Sequence, residues 1–190
     1  MKFDILLAGV GGQGVLSMAA LIGEAAIGEG LHAKQSEVHG MAQRGGAVQA
    51  QLRLADHTID SDLIPRGSVD LLLSLEPLEG LRYVDRLAPD GALVTSSAPV
   101  LNIDDYPALE RVLEAVRALP HGVVVDAERL AEAAGDAQAV NTVMVGAASG
   151  MLPLAVGSLE GAVRRRFARK GPRTVEMNLA AFSAGRQALP

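Results

Sequence analysis

The chain has 190 residues, 49% of them hydrophobic, a formal net charge of -5 and no cysteine. That is enough apolar content for one core, and an aliphatic one, because aromatics make up only 3% and tryptophan is absent. The acidic balance argues against a general nucleic-acid binder, and the lack of cysteine rules out disulfides, thiolate zinc sites, cysteine nucleophiles and Cys-ligated iron–sulfur clusters on this chain.

The apolar run Ile5-Leu6-Leu7-Ala8 predicts a buried strand, and Gly9-Val10-Gly11-Gly12-Gln13-Gly14 follows it directly. Gly9, Gly11 and Gly14 satisfy the G-x-G-x-x-G spacing. A helix is predicted from about Gln13 to Glu29, with Met18, Ala19, Ile22 and Ala26 at helical spacing. A strand that turns through glycines into a helix leaves backbone N–H groups unpaired, and such a turn favours an anionic group. The bland alternative is a turn that only lets strand and helix pack closely.

Strands are predicted over His32–Val38 and Ala47–Leu54, with a turn at Asp60-Ser61-Asp62. Val69–Leu75 reads as a buried parallel strand and Pro77–Leu87 as a helix with proline in its first turn. Pro89-Asp90-Gly91 reads as a turn and Ala92–Thr95 as a strand. Then come an amphipathic helix carrying Leu109, Val112, Leu113 and Val116, a short strand Val123–Val125 and a helix Ala127–Ala134. Asn141 or Thr142 is expected to cap a helix through Met151, and two more helices cover Leu159–Ala168 and Val175–Ala188. Alternating strands and helices imply an α/β fold, a Rossmann-like three-layer sandwich with a mostly parallel sheet, in one domain over residues 1–190.

Two stretches lack charge, Asp4 to Glu24 and Asp136 to Glu160. Asp4 and the glycines break any leader pattern in the first, and Asn141, Ser149 and Pro153 interrupt the second, so no membrane segment is expected. Together with the absence of cysteine, this composition fits a cytoplasmic protein. The four histidines are dispersed and show no metal-ligand spacing, so no metal site is expected. Arg164, Arg165, Arg166, Arg169, Lys170 and Arg173 form a basic cluster, read first as a solvated helix face and second as a dock for an acidic partner or anionic ligand.

Ser36-Glu37-Val38-His39-Gly40-Met41-Ala42-Gln43-Arg44-Gly45-Gly46 concentrates polar groups among glycines just after a strand. In an open α/β sheet such a loop shares the ligand crevice with the first glycine turn. Arg44 suits a phosphate or carboxylate, and Gln13, His39 and Gln43 suit directional hydrogen bonds. Glu37 sits where an acid binds a ribose hydroxyl in nicotinamide-cofactor sites, but no substrate domain or hydride site accompanies it. Glu76 ends a strand at the same edge, where it is expected to bond to loops or to a ligand. A structural loop, or one that docks a partner subunit, remains the alternative reading of this segment.

The two glycine-rich segments together resemble the gamma domain of the 2-oxoacid:ferredoxin oxidoreductases, and Glu37–Gly46 is closest in form to the small beta subunit of the indolepyruvate branch. Asp70–Leu87, Gly91–Ser96 and Asn141–Gly150 fit as well. The resemblance implies oxidative decarboxylation of indolepyruvate or other arylpyruvates to acyl-CoA with reduction of ferredoxin. It implies a non-autonomous subunit without catalytic residues of its own. Thiamine diphosphate, magnesium and iron–sulfur clusters are expected on a large partner subunit, and ferredoxin is met through the complex. Coenzyme A is the one group this chain is expected to contact, through Gly9, Gly11, Gly12, Gln13, Gly14, Glu37, His39, Gln43, Arg44 and Gly45. An independent Rossmann-like nucleotide-binding protein and a purely structural assembly module are the other readings.

Overall fold

The computed structural model describes residues 1–39 and 45–189, with His39 described by its backbone alone. The elements run β1 (Lys2–Val10), α1 (Val15–Gly28), β2 (His32–His39), β3 (Ala47–Ala55), β4 (Val69–Ser74), α2 (Pro77–Leu81), β5 (Leu87–Ser96), α3 (Leu109–Arg117), β6 (Gly122–Val125), α4 (Ala127–Ala133), α5 (Val140–Ala148), α6 (Val156–Phe167) and α7 (Pro172–Gln187). The strands form one sheet in the order β2-β3-β1-β4-β5-β6. β1, β4, β5 and β6 run parallel, while β3 pairs antiparallel with both β1 and β2.

Side-chain alternation in the central strands explains the three layers. Ile5 and Leu7 of β1, with Leu71 and Leu73 of β4, face α1 and α4 to α7. Leu6, Ala8 and Leu72 face the opposite side, where Val116 of α3 covers them. A strand buried on both faces must be apolar at every position, as the runs Ile5–Ala8 and Leu71–Leu73 are. Asp4, fully buried, is a charged exception. It sits opposite Arg53 in the β1–β3 register and accepts from the Arg53 Nε at 2.8 Å. A buried carboxylate needs such a partner, so this pair helps to set the register of β1 against β3.

Three expectations are corrected. Pro77–Leu87 is not one helix: α2 stops at Leu81, a 3-10 turn covers Val84–Arg86, and β5 begins at Leu87. Pro89-Asp90-Gly91 lies within β5, where the pairing with β4 jumps from Val69↔Leu87 to Leu71↔Ala92, so the turn residues loop out as a bulge. Asn141 and Thr142 do not cap α5. Asp136 caps a preceding 3-10 turn, Ala137–Ala139, and the helix ends at Ala148.

α5 and α7 pack at backbone distance. A Cβ on Gly185 would lie 1.9 Å from the Val143 carbonyl oxygen, and one on Gly146 would lie 2.1 Å from that of Phe182. The glycines are therefore mutual notches. Gly185→Ala gains about 1 kcal/mol in helix propensity. Forcing the helices apart costs about 1–3 kcal/mol or more, as overpacking does. Net destabilisation is expected, read as a melting temperature lowered by several degrees in thermal denaturation.

Candidate functional site

β1 leaves the sheet at Val10, and the chain turns through Gly11–Gly14 into α1. Gly14 adopts φ 80° and ψ 36°, a left-handed conformation that glycine takes without strain, and no side chain caps the helix. Among the described residues, the backbone N–H groups of Gly12, Gly14, Val15 and Leu16 have no partner within the chain. They line the start of a helix whose dipole is positive there.

Gly11 extends the β1–β3 ladder beyond Val10. Its N–H donates to the Gly46 carbonyl at 2.8 Å, and its carbonyl accepts from the Gly45 N–H at 3.2 Å. The two glycine-rich segments therefore touch. Asn102, from the β5–α3 connection, donates to the Gly45 carbonyl at 2.6 Å and brings a third loop to this edge. A cavity of about 270 Å³ opens here, lined by Gly11, Gly12, Gly14, Leu16, Glu37 and Val48.

Among the sequence-predicted residues, Gly11, Gly12, Gly14 and Glu37 meet in this cavity, and Gly45 is bonded beside it. Gly9 is buried beneath the turn, where a Cβ would meet Gln13 Oε1 and Val15 Cγ2 at 2.9 Å each. Gln13 folds inward. Its Oε1 accepts from the Val10 N–H at 2.8 Å, and its Nε2 donates to the Leu75 carbonyl at 3.1 Å. Its amide thus braces β1 against the end of β4. Gln43, Arg44 and the Gly40–Ala42 stretch lie outside the described residues, as does the side chain of His39. Among the described residues no group of three or more His, Asp or Glu side chains is arranged to hold a metal ion, and no helix is long and apolar enough to cross a membrane.

Glu76 does bond to loops at this edge. It is 1% exposed and caps α2 by accepting from the Glu79 N–H at 2.6 Å. Its other oxygen accepts from the Tyr106 hydroxyl. Burial first, then this donation to Glu76, push the Tyr106 hydroxyl far above the usual phenol range, so it remains a donor. Both carboxylate oxygens are thus engaged within the fold, and together they anchor the connection that carries Asn102.

Asn141 is the residue that sequence reasoning misplaced. Its Nδ2 donates to the Gln13 carbonyl at 3.1 Å and to the Gly14 carbonyl at 2.9 Å, clamping the turn from α5. A Cβ on Gly14 would come within 2.8 Å of that nitrogen. Nothing local marks Asn141 for this role, since its partners are 128 and 127 residues away.

The chain matches the model of the family described as Pyruvate ferredoxin/flavodoxin oxidoreductase over residues 4–188. It is 34% identical over 194 residues to the indolepyruvate oxidoreductase subunit IorB of Pyrococcus horikoshii, a match spanning 97% of this chain and 94% of that one. The fold superposes with a TM-score of 0.70 on the gamma subunit of a keto/oxoacid ferredoxin oxidoreductase from Geobacter sulfurreducens, at 26% identity over 98% of this chain and 97% of that one. It also superposes, with a TM-score of 0.75 and 21% identity over 98% of this chain, on the 2-oxoglutarate:ferredoxin oxidoreductase of Magnetococcus marinus, solved with 2-oxoglutarate, coenzyme A and succinyl-CoA bound. This chain spans about a third, 31%, of that longer one.

Asn141→Ala should destabilise the chain by about 1–3 kcal/mol, because two turn carbonyls lose their donor. Asn141→Asp should cost more despite its matching shape, since an ionised carboxylate cannot donate and repels both carbonyls. Urea unfolding of the three proteins tests the order; an Asp variant as stable as wild type would remove Asn141 from this role.

Proposed function

This chain belongs to the pyruvate ferredoxin/flavodoxin oxidoreductase family, and from that membership we propose that it is the small, non-autonomous subunit of an indolepyruvate-type 2-oxoacid:ferredoxin oxidoreductase. The assembled enzyme oxidatively decarboxylates indolepyruvate or a related arylpyruvate, passes the acyl group to coenzyme A and the electrons to ferredoxin. A match to an indolepyruvate oxidoreductase subunit over nearly the whole of both chains carries this reading.

Thiamine diphosphate, magnesium and iron–sulfur clusters belong to a large partner subunit in the cytoplasm, where they supply the carbanion and electron-transfer chemistry. The absence of cysteine from this chain supports that division, because thiolates are the usual cluster ligands. The part left to this chain is to receive coenzyme A at the glycine turn. Unpaired N–H groups at the start of α1 suit a phosphate. Arg44, with Gln43 and His39, is assigned to the same anionic group on its charge and on the family resemblance; Gly45 and Gly46, which follow Arg44 in sequence, bond to Gly11. Glu37 stands on the cavity wall as an acceptor for a hydroxyl or amide.

A structural role for this edge is the second reading, and a specific observation favours it. Leu101 and Ile103 flank Asn102 and are 75% and 40% exposed, and Val38, next to the glycine-rich loop, is 52% exposed. Apolar groups beside the turn suit a subunit interface.

One experiment tests the subunit assignment and a second separates the two readings of this edge. Affinity purification from the native cell should bring down a large brown subunit containing thiamine diphosphate and iron–sulfur clusters; recovery of this chain alone, or with unrelated partners, would overturn the assignment. In the assembled enzyme, Arg44→Ala should raise KM for coenzyme A about tenfold or more with kcat nearly unchanged, the effect of losing one charge-assisted hydrogen bond. Loss of assembly with an unchanged KM would favour the interface.

A further inference from the structure

A larger cavity, of about 390 Å³, has Asn141 in its wall but none of the residues of the glycine turn. Its floor is a fixed polar network. Thr142 donates to Asn178 Oδ1 at 2.8 Å, and Asn178 Nδ2 donates to the Thr174 carbonyl at 3.0 Å. Thr142 and Asn178 are 3% and 1% exposed, so this floor is part of the core. Above it stand two cations from the end of α6 and the turn that follows, Arg166 and Lys170. Arg166 has one distant ionic neighbour, Glu24 at 3.7 Å, and Lys170 lies over the Phe167 ring at 5.6 Å from its centroid.

The surroundings add positive potential. Arg164, Arg165, Arg169 and Arg173 are exposed nearby in the chain and make no ion pair among the described residues. Ser17, Thr142 and Thr174 also put the first turns of α1, α5 and α7 at the cavity wall, each with the positive end of its helix dipole. The Ser17 hydroxyl has no partner among the described residues and is free to donate, whereas the Thr174 hydroxyl donates to the Lys170 carbonyl at 3.2 Å. Two carboxylates oppose an anion: Glu24, 3.7 Å from Arg166, and Asp136, which lines the cavity and caps the 3-10 turn at Gln138.

We propose that this cavity is a second anion site that takes the phosphate group of a small phosphorylated molecule. Its volume suits a metabolite rather than a lone ion. Two cations and the Ser17 hydroxyl at one cavity are the chemistry that recognises phosphate. The proposal does not depend on the coenzyme A reading of the glycine turn. Two sources share the chemistry: a free phosphorylated metabolite, or the phosphates of coenzyme A reaching past Asn141.

The test is isothermal titration calorimetry of the full-length chain with inorganic phosphate as the probe. Saturable binding is expected. The double variant Arg166→Ala/Lys170→Ala should weaken it about tenfold or more, since both cations are lost. Asp136→Asn, which keeps the cap and removes one opposing charge, should tighten it about threefold. Arg169→Ala, outside the cavity lining, should leave it within about twofold. No saturable binding, or a loss in Arg169→Ala as large as in the double variant, overturns the proposal, because the attraction would then be diffuse. Repeating the titration with saturating coenzyme A distinguishes the sources. Phosphate that still binds identifies a separate metabolite site. Displacement, with coenzyme A itself weakened by the double variant, identifies the coenzyme's phosphates as the occupant. Displacement with coenzyme A indifferent to the double variant places the probe at the glycine turn and refutes the cavity site.

Discussion

Two side-chain amides hold the glycine-turn edge of this protein in shape. Gln13 ties the end of β1 to the end of β4, and Asn141 ties the carbonyls of Gln13 and Gly14 to α5. The glycines make this possible by absence. Without a Cβ at Gly9 the Gln13 amide can fold back, and without one at Gly14 the Asn141 amide can reach the turn. A turn through consecutive glycines has high conformational entropy when unfolded, so it needs such ties to hold one geometry. The N–H groups at the start of α1 stay unpaired while Asn141 holds the carbonyls of the same turn.

The second constraint is the hairpin of β2 and β3. In a dinucleotide fold the strand after α1 lies beside β1, and its terminal acid reaches the ribose. Here β3 takes the place beside β1, because Ala50, Leu52 and Leu54 supply a buried face, whereas β2 carries Lys34, Gln35 and Glu37 and is left at the edge. Glu37 still lines the cavity at the turn, but from the edge of the sheet, beyond an antiparallel neighbour. That geometry separates the chain from nicotinamide-binding domains that share its glycine spacing. It also returns the chain to the glycine turn, where Gly45 and Gly46 bond to Gly11.

Much of the element order was legible, and where it failed the cause was tertiary. Pro77–Leu87 has helical composition, yet the helix stops at Leu81, a 3-10 turn covers Val84–Arg86, and Leu87 is taken into pairing with Val69 of β4. Pro89-Asp90-Gly91 has turn chemistry and does turn, but inside a strand, since the flanking residues both keep partners in β4. Asn141 has the chemistry of a cap, and its amide does bind backbone carbonyls. The carbonyls belong to another helix start. In each case the residue type announced its chemistry correctly, and the partner was supplied by the fold.

Local rules were enough for the strand–glycine–helix start and the α/β class. They depend on hydrophobic period, on glycine's freedom at positive φ and on helix-end hydrogen bonding, all of which act within a few residues. The insertion of β3, the inward turn of Gln13 toward a carbonyl 62 residues away, the Asn141 clamp across 128 residues and the cation-rimmed cavity beside α1 belong to the tertiary structure alone. An amide or a guanidinium satisfies its hydrogen bonds with whatever the packed chain brings within about 3 Å, and no local pattern encodes which distant backbone that will be.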